Sequence, residues 1–379
     1  MYGILFAVCN SCFGAARPFF DRKGGINMEN VKDFLTRKDI VITPQRYLID
    51  ALGAMAQGLF ASLLIGTILN TLGQQLGVAM LVTIGDYASA MSGPAMACAI
   101  GYALHAPNFV LFSLVTVGWA SNSLGGAGGP LAVLLIAIVA AELGKAVSKE
   151  TKVDLLVTPL VTIFSGVGLA LLIAAPIGAA ASRVGALIMW ATEQSPFVMG
   201  VLVSVIVGVA LTLPISSAAI CAALGLTGLA GGAAVAGCCA QMVGFAVMSY
   251  KENGVGGLVS QGLGTSMLQM GNIVRNPRIW IAPTLASAIT GPMATCLFHF
   301  EMNGAAVSSG MGTCGMVGPI GVYTGWLNDV AAGVKAAVTP WDWAGMILLC
   351  FVLPAVLSVL FCQIERRLGW IQEGDLKLD

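Results

Sequence analysis

ALGAMAQGLFASLLIGTILNTLGQQLGVAMLVTIG, residues 51–85, runs for 35 positions without one Asp, Glu, Lys or Arg. A helix needs about 20 mostly apolar residues to cross the hydrocarbon of a bilayer, so this interval holds one crossing and the start of another. Residues 87–141, 155–182, 194–250, 279–300, 302–328 and 343–364 are also free of charge. Of the 379 residues, 57% are hydrophobic and 9% charged. Soluble domains carry roughly 25% charged residues, so a water-soluble fold is excluded. The fold class is an all-α polytopic membrane protein whose first partner is the lipid bilayer, with about ten transmembrane helices by the length rule.

The charges that remain set an orientation. Residues 29–50 carry Lys32, Arg37, Lys38 and Arg46 against Asp33 and Asp39, and read as an amphipathic lead-in. Lys145, Lys149 and Lys152 mark a further basic turn, and Arg366-Arg367 follow the last span. Basic residues beside spans favour the inside, so a multi-pass protein of the cell membrane with both termini cytoplasmic is expected. Crossings are predicted near 51–72, 76–104, 107–121, 129–146, 155–178, 197–215, 217–249, 278–300 and 342–364. The segment 180–194, with Arg183 and Glu193, reads as interfacial. Formal net charge is zero, and no nucleic-acid partner is expected.

Residues 1–27 stand apart. MYGILFAV is too short to span and lacks a preceding basic residue, which makes it a poor signal peptide. The chain from Met28 reads as the natural start, so 1–27 is taken as an upstream extension and 28–379 as a single transmembrane domain. Eight of the ten cysteines lie in apolar stretches, where cysteine acts as a small hydrophobe. Cys9 and Cys12 form an isolated C-x-x-C, a weak signal by itself. No metal and no cofactor are expected.

The 48 glycines are the second anomaly. Small residues let membrane helices approach closely, yet here glycine gathers in runs that would break a helix. Two uncharged stretches are dense in Gly, Ser, Thr, Asn and Gln: NGVGGLVSQGLGTSMLQMGNI at 253–273 and NGAAVSSGMGTCGMVGPIGVYTG at 303–325. Non-helical backbone at membrane depth survives only where protein or a water-filled cavity satisfies it, and transporters build midplane sites from such segments. Both stretches are therefore predicted to be broken or re-entrant, with external loops or small-residue packing helices as the alternative. A faint repeat pairs SGPAMACAIGY (92–102) with TGPMATCLFHF (290–300), and SNSLGGAGGP (121–130) with SSGMGTCGMVGP (308–319).

Candidate chemistry is sparse, because the sequence has two histidines and no P-loop or H-E-x-x-H. An ionisable residue inside a membrane is a functional candidate by default. Glu301, in FHFEMNG between His299 and Asn303, sits at the mouth of the second stretch, where solvation among headgroups is the alternative. Asp86 interrupts a long apolar run and either binds a hydroxyl or cation or pairs with a basic group. Glu142 and Lys145 are three apart, so a helical ion pair explains them. Amide and hydroxyl side chains in both stretches suit an uncharged, polyhydroxylated ligand. The predicted substrate site comprises Gln261, Thr265, Asn272, Glu301, Asn303, Ser309 and Asp86, with no catalytic residue. Trp119, Trp280 and Trp326 could stack on a sugar face, whereas Trp341 and Trp343 read as interfacial belt residues.

RYLIDALGAMAQGLFASLLIGTILNTLG (46–73), MGNIVRNPRIWIAPTLASAITGP (270–292) and NGAAVSSGMGTCGMVGPIGVYTGW (303–326) resemble the PfoR-type group of phosphotransferase-system (PTS) IIC membrane components, described as toxin regulators of Gram-positive bacteria. The resemblance covers about residues 28–370. It implies an EIIC-like homodimeric sugar permease of about ten spans with re-entrant hairpins, moving in an elevator-like way. It further implies that a separate IIB protein, itself served by IIA, phosphorylates the sugar. The wider family carries an Asn-Glu-Pro upstream of an Asn-Pro. If the Asn-Pro corresponds to Asn276-Pro277, Thr265 stands where the Glu would fall. The expected function is a IIC-type permease for a small neutral sugar or similar hydroxylated solute. An ion-coupled secondary transporter and a solute-sensing membrane regulator are the alternatives.

Overall fold

The computed structural model describes residues 28–378, and the expectations for 1–27 and for Cys9 and Cys12 lie outside the described residues. Regular structure among the described residues is helical, apart from one isolated backbone bridge between Gly228 and Met302. A short lead-in α1 (Met28–Arg37) precedes α2 (Gln45–Leu76), α3 (Ala79–Ala90), α4 (Ser92–Ala103), α5 (Asn108–Gly125) and α6 (Gly129–Val147). After α7 (Asp154–Thr192) come α8 (Pro196–Thr212), α9 (Ser217–Leu224) and α10 (Gly228–Met248). The first polar stretch holds α11 (Tyr250–Val259) and α12 (Met270–Arg275), followed by α13 (Ile281–Pro292). The chain closes with α14 (Val317–Ala331) and α15 (Pro340–Arg367).

Among the described residues, five helical runs are long and apolar enough to cross a membrane: Gln45–Leu76, Asn108–Val147, Asp154–Thr192, Gly228–Met248 and Pro340–Arg367. Pro196–Thr212 is apolar but shorter. The second of these runs is two helices, because Gly126 takes φ 51° and α6 turns back to pack along α5. That positive φ suits glycine, which lacks the Cβ that would clash there.

Two bundles share the core. In the first, α2, α4, α5 and α6 pack with the first half of α7, burying Met55, Met96, Ile100, Leu114 and Ile136. In the second, α8, α10, α13 and α15 pack together. Helix α10 is at the centre of this bundle, and 94% of its apolar window is buried. Its sequence, GLAGGAAVAGCCAQMVGFAVM, is small on every side, which is what several neighbours at close range require. A Cβ on Gly232 would lie 1.6 Å from the Phe300 carbonyl oxygen, and one on Gly237 would lie 2.0 Å from that of Ser204. Much of the glycine excess therefore serves close helix packing, and the glycine run at 228–237 stays helical.

Several boundaries depart from the sequence expectation. Residues 76–104 form two helices that meet at Met91, and 217–249 breaks at Gly225–Thr227, where Gly225 is left-handed and Thr227 extended. Residues 180–192 of the segment expected to be interfacial continue α7, which runs unbroken through Pro176. At 39 residues α7 is about 58 Å long at 1.5 Å per residue. Arg183 in the helix and Glu193 just beyond its end are exposed, so neither interrupts the buried face. The faint repeat is not matched in position: Gly93-Pro94 opens α4, whereas Gly291-Pro292 lies inside a helical run that continues as a π turn to Leu297.

The lead-in and the C-terminal tail lie at the same end of the molecule. Gly271 of α12 rests on Ile49, while the tail beyond α15 bonds to Asn272. At the opposite end Trp341 and Trp343 are half-exposed at the start of α15. Trp341 stacks on Phe298 at 4.9 Å, and Trp343 lies 5.4 Å from Tyr323.

Candidate functional site

A cavity of about 460 Å³ opens between the second half of α2, the start of α9 and residues 305–324. Ligand pockets commonly occupy roughly 300–1,000 Å³. One wall is a stripe of α2, Thr67, Asn70, Thr71 and Gln74, spaced i, i+3, i+4, i+7. That spacing puts all four side chains on one face of a helix. The opposite wall is Ala305, Val307, Ser308, Met311, Val317, Ile320, Gly321 and Thr324 from the second polar stretch, and Ser216 closes one end. No Asp, Glu, Lys or Arg lines it.

The α2 wall is held in a defined orientation. The Asn70 side-chain amide donates to an Asp86 carboxylate oxygen at 2.6 Å, and Gln74 donates to Asn70 Oδ1 at 2.9 Å. A carboxylate only accepts, so Asp86 fixes which way the Asn70 amide faces, and Asn70 fixes Gln74 in turn. The Gln74 oxygen is left as an acceptor. Helix α3 can bring Asp86 this close because a Cβ on Gly85 would be 2.5 Å from the Gly66 carbonyl oxygen. The hydroxyls of Thr67 and Thr324 bond to their own helix, to the carbonyls of Leu63 and Ile320. Thr71, Gln75, Ser89 and Ser308 make no side-chain hydrogen bond among the described residues, so they remain available.

A smaller, more apolar cavity adjoins this one. It shares Leu63, Ser216, Ala218 and Met311 and adds Phe60, Thr265, Met267 and Cys314. The two polar stretches meet beside it, where the Thr313 hydroxyl donates to the Gly262 carbonyl at 2.5 Å.

The seven predicted site residues are scattered. Thr265 lines the smaller cavity, where its hydroxyl accepts from the Met267 amide at 3.2 Å. Asp86 stands one hydrogen bond behind the larger cavity. Ser309 adjoins the lining Ser308 but is fully buried, its hydroxyl donating to the Leu226 carbonyl at 2.6 Å. Asn303 bridges Glu301 at 3.1 Å and Asp329 at 2.8 Å, and neither Asn303 nor Glu301 lines the two cavities.

Gln261 and Asn272 belong to a buried chain of amides. Gln269 donates to Gln261 Oε1 at 2.9 Å, and Asn272 donates to Gln269 Oε1 at 2.8 Å. Gln261 donates in turn to the Ser249 hydroxyl at 2.8 Å. The free ends of this chain meet the C-terminal tail: Gln269 bonds to the Leu376 carbonyl at 2.9 Å and Asn272 to the Lys377 carbonyl at 2.8 Å. Both amides are thus spent on the protein's own backbone.

Sequence reasoning passed over the α2 stripe, whose signal was the helical spacing of polar residues in TILNTLGQQ. It also passed over Gln241, fully buried in α10. Gln241 accepts from Trp280 Nε1 at 3.0 Å and donates to Thr284 at 3.3 Å, which directs the Trp280 ring edge inward rather than toward a ligand. Trp326 is buried as well, edge-on to Phe300.

At the end of the molecule that carries the lead-in, Glu142 and Lys145 form the expected i,i+3 pair at 3.1 Å, and Lys145 also donates to the Asp39 and Leu104 carbonyls. Arg46 clasps Asp39 through two bonds of 3.0 and 2.7 Å. That guanidinium holds the Asp39 carboxyl well below the usual carboxylate range, with His105 and Lys145 adding to the effect.

The family model described as "Phosphotransferase system, EIIC" matches residues 49–378. Among curated proteins and among solved structures, no match was found.

Proposed function

This chain belongs to the phosphotransferase-system EIIC family, and on that premise we propose that its 460 Å³ cavity receives a small neutral sugar or similar hydroxylated solute. Membership makes it a membrane-integral PTS permease component. The observation that carries the substrate class is the lining, which offers amides and hydroxyls and no charged side chain. A polyol supplies donors and acceptors in equal measure, and buried polar groups built to bond them reject ligands that lack them. Gln74, Thr71, Ser89 and Ser308 bind the solute in this reading, with Asp86 as a positioning residue behind Asn70 and Thr265 in the adjoining wall.

The finer assignments rest on the resemblance: a homodimer of PfoR type, about ten crossings, both termini cytoplasmic, and a separate IIB protein that phosphorylates the sugar. One observation favours a second reading, transport or sensing without phosphotransfer. If Asn276-Pro277 corresponds to the family's Asn-Pro, as the resemblance implies, Thr265 stands at the place of its acidic group, and the Thr265 hydroxyl is engaged with Met267.

Reconstituted vesicles decide between them. Sugar uptake that requires added, phosphorylated IIB supports the coupled permease. Uptake driven by an ion gradient alone, or solute binding without flux, supports the second reading. No binding of any sugar or polyol would remove the proposal.

A further inference from the structure

Beyond α15 the chain does not trail away. Leu376 is fully buried and Ile371 is 3% exposed, and both join the core of the first bundle. The backbone between them is received by side chains. Glu252 accepts from the Leu376 amide at 2.9 Å, while Asn253 and Gln269 donate to the Leu376 carbonyl at 2.8 and 2.9 Å. Asn272 takes the Lys377 carbonyl, and Asn253 Oδ1 accepts from the Leu378 amide at 2.8 Å. Asn276 donates to the Trp370 carbonyl at 2.9 Å and to the Asp375 carboxylate at 2.8 Å. Each of these partners lies in residues 252–276, the first polar stretch and its immediate flanks.

We propose that the segment Trp370–Leu378 is a detachable strap, which holds the first polar stretch closed against the smaller cavity and exposes that wall when it lifts. Three observations carry this. The seat is made of side-chain amides and the Glu252 carboxylate, bonded mostly to backbone, and its other anchors are the side chains of Ile371 and Leu376 and the Trp370 ring, 5.7 Å from the Arg278 guanidinium. Glycines in positive-φ conformations stand just before the strap, Gly369 at 72°, and within it, Gly374 at 96°, and at both the space a Cβ would take is open. The seat is also continuous with the cavity wall. Gln269 and Asn272 are bonded through Gln261 into the segment that carries Thr265 and Met267, and Gly262 of that segment is tied to Thr313, next to Cys314. Removing the strap leaves Gln269 and Asn272 each with one N–H unpaired at a buried position, the other still bonded along the amide chain. Such groups rearrange or admit water, and the segment they belong to is the wall.

The inference concerns access to the cavity and stands whether or not a sugar is the solute. Its test therefore reads accessibility. Cys314, 6% exposed in the wall, and Cys296, exposed elsewhere, are native reporters. The full-length protein and a variant ended after Gly369 are labelled with a maleimide in detergent micelles and followed peptide by peptide by mass spectrometry. Truncation is expected to speed Cys314 labelling by roughly tenfold or more, as local opening would, with Cys296 unchanged. The synthetic peptide WIQEGDLKLD should restore protection. The full-length double variant Asn253→Ala, Asn272→Ala should show a smaller rise at Cys314. Unchanged Cys314 labelling in both variants overturns the proposal. So does labelling of the fully buried Cys238 and Cys239 alongside Cys314, since the tail would then be a fixed part of the fold.

Discussion

The two polar stretches are alike in composition and opposite in what answers them. In the first, 253–273, the amides of Asn253, Gln269 and Asn272 are matched by the backbone of the protein's own C-terminal tail. In the second, 303–325, Ser308 faces a cavity of about 460 Å³ with no partner of its own. A buried polar group must find a hydrogen bond, but the sequence does not say from where. Glycine and amide density marks both stretches as irregular. Whether such a stretch is a site or a seam depends on whether another part of the chain reaches it first.

The largest predicted effect contrasts their glycines. Gly312 in the second stretch has φ 54°, and a Cβ there would come within 2.7 Å of Cys238 backbone and side-chain atoms. Gly254 in the first has φ 60° with open space around it. Gly312→Ala should destabilise by more than about 3 kcal/mol, adding steric overlap to conformational strain, and Gly254→Ala by the strain alone, about 1–3 kcal/mol. Thermal unfolding in detergent measures both. Equal losses would break the contrast.

Next in size is Asn70→Leu. It cuts the Asp86–Asn70–Gln74 chain and should weaken solute binding roughly ten- to a hundredfold, the scale of one or two lost polar contacts. Calorimetric titration with the transported solute reads it. Asn272→Ala should act on stability instead. It strips a donor from the Lys377 carbonyl and another from Gln269, which costs about 1–3 kcal/mol. Ser308→Ala, which breaks no internal bond, should change stability by under about 0.5 kcal/mol while reducing solute affinity. If the stability losses of those two variants were reversed, the assignment of seam and site would be reversed with them.

The smallest effect involves neither stretch. The folded-state pKa of Asp39 is depressed by Arg46, so its contribution is present above the unfolded carboxylate value near 4 and is lost as pH falls through the folded value. The difference in melting temperature between the wild type and Asp39→Asn should stay constant from about pH 5 to 8 and close in stronger acid. No difference between the two proteins at pH 7 would contradict the Arg46 pairing.

The fold class was legible because charge is a one-dimensional signal: 35 uncharged positions mean a membrane whatever their neighbours do. The breaks at both polar stretches were legible from local composition. The continuity of α7 was not, because Arg183 reads as interface until the structure places it on an exposed face of the helix, with Glu193 exposed just past the helix end. Of the site, the α2 stripe was readable from the spacing of Thr67, Asn70, Thr71 and Gln74. The burial of Gln261 and Asn272 under the tail was not readable, since it joins residues more than a hundred positions apart and leaves no local pattern.

Helix α7 has a consequence of its own. Its first half contributes Ala170 and Ala174 to one core, its second half Ala181, Ile188 and Ala191 to the other, and Pro176 falls between them. Proline removes a hydrogen bond from the helical ladder at that point, so a bend between the bundles meets least resistance there. A helix of about 58 Å cannot stand upright in hydrocarbon about 30 Å thick without carrying its ends into the headgroups or leaning over. The tilt of α7 and the depth of its ends are thereby tied to bilayer thickness. Because the two halves of α7 belong to different bundles, lipid chain length bears on both of them through this one helix.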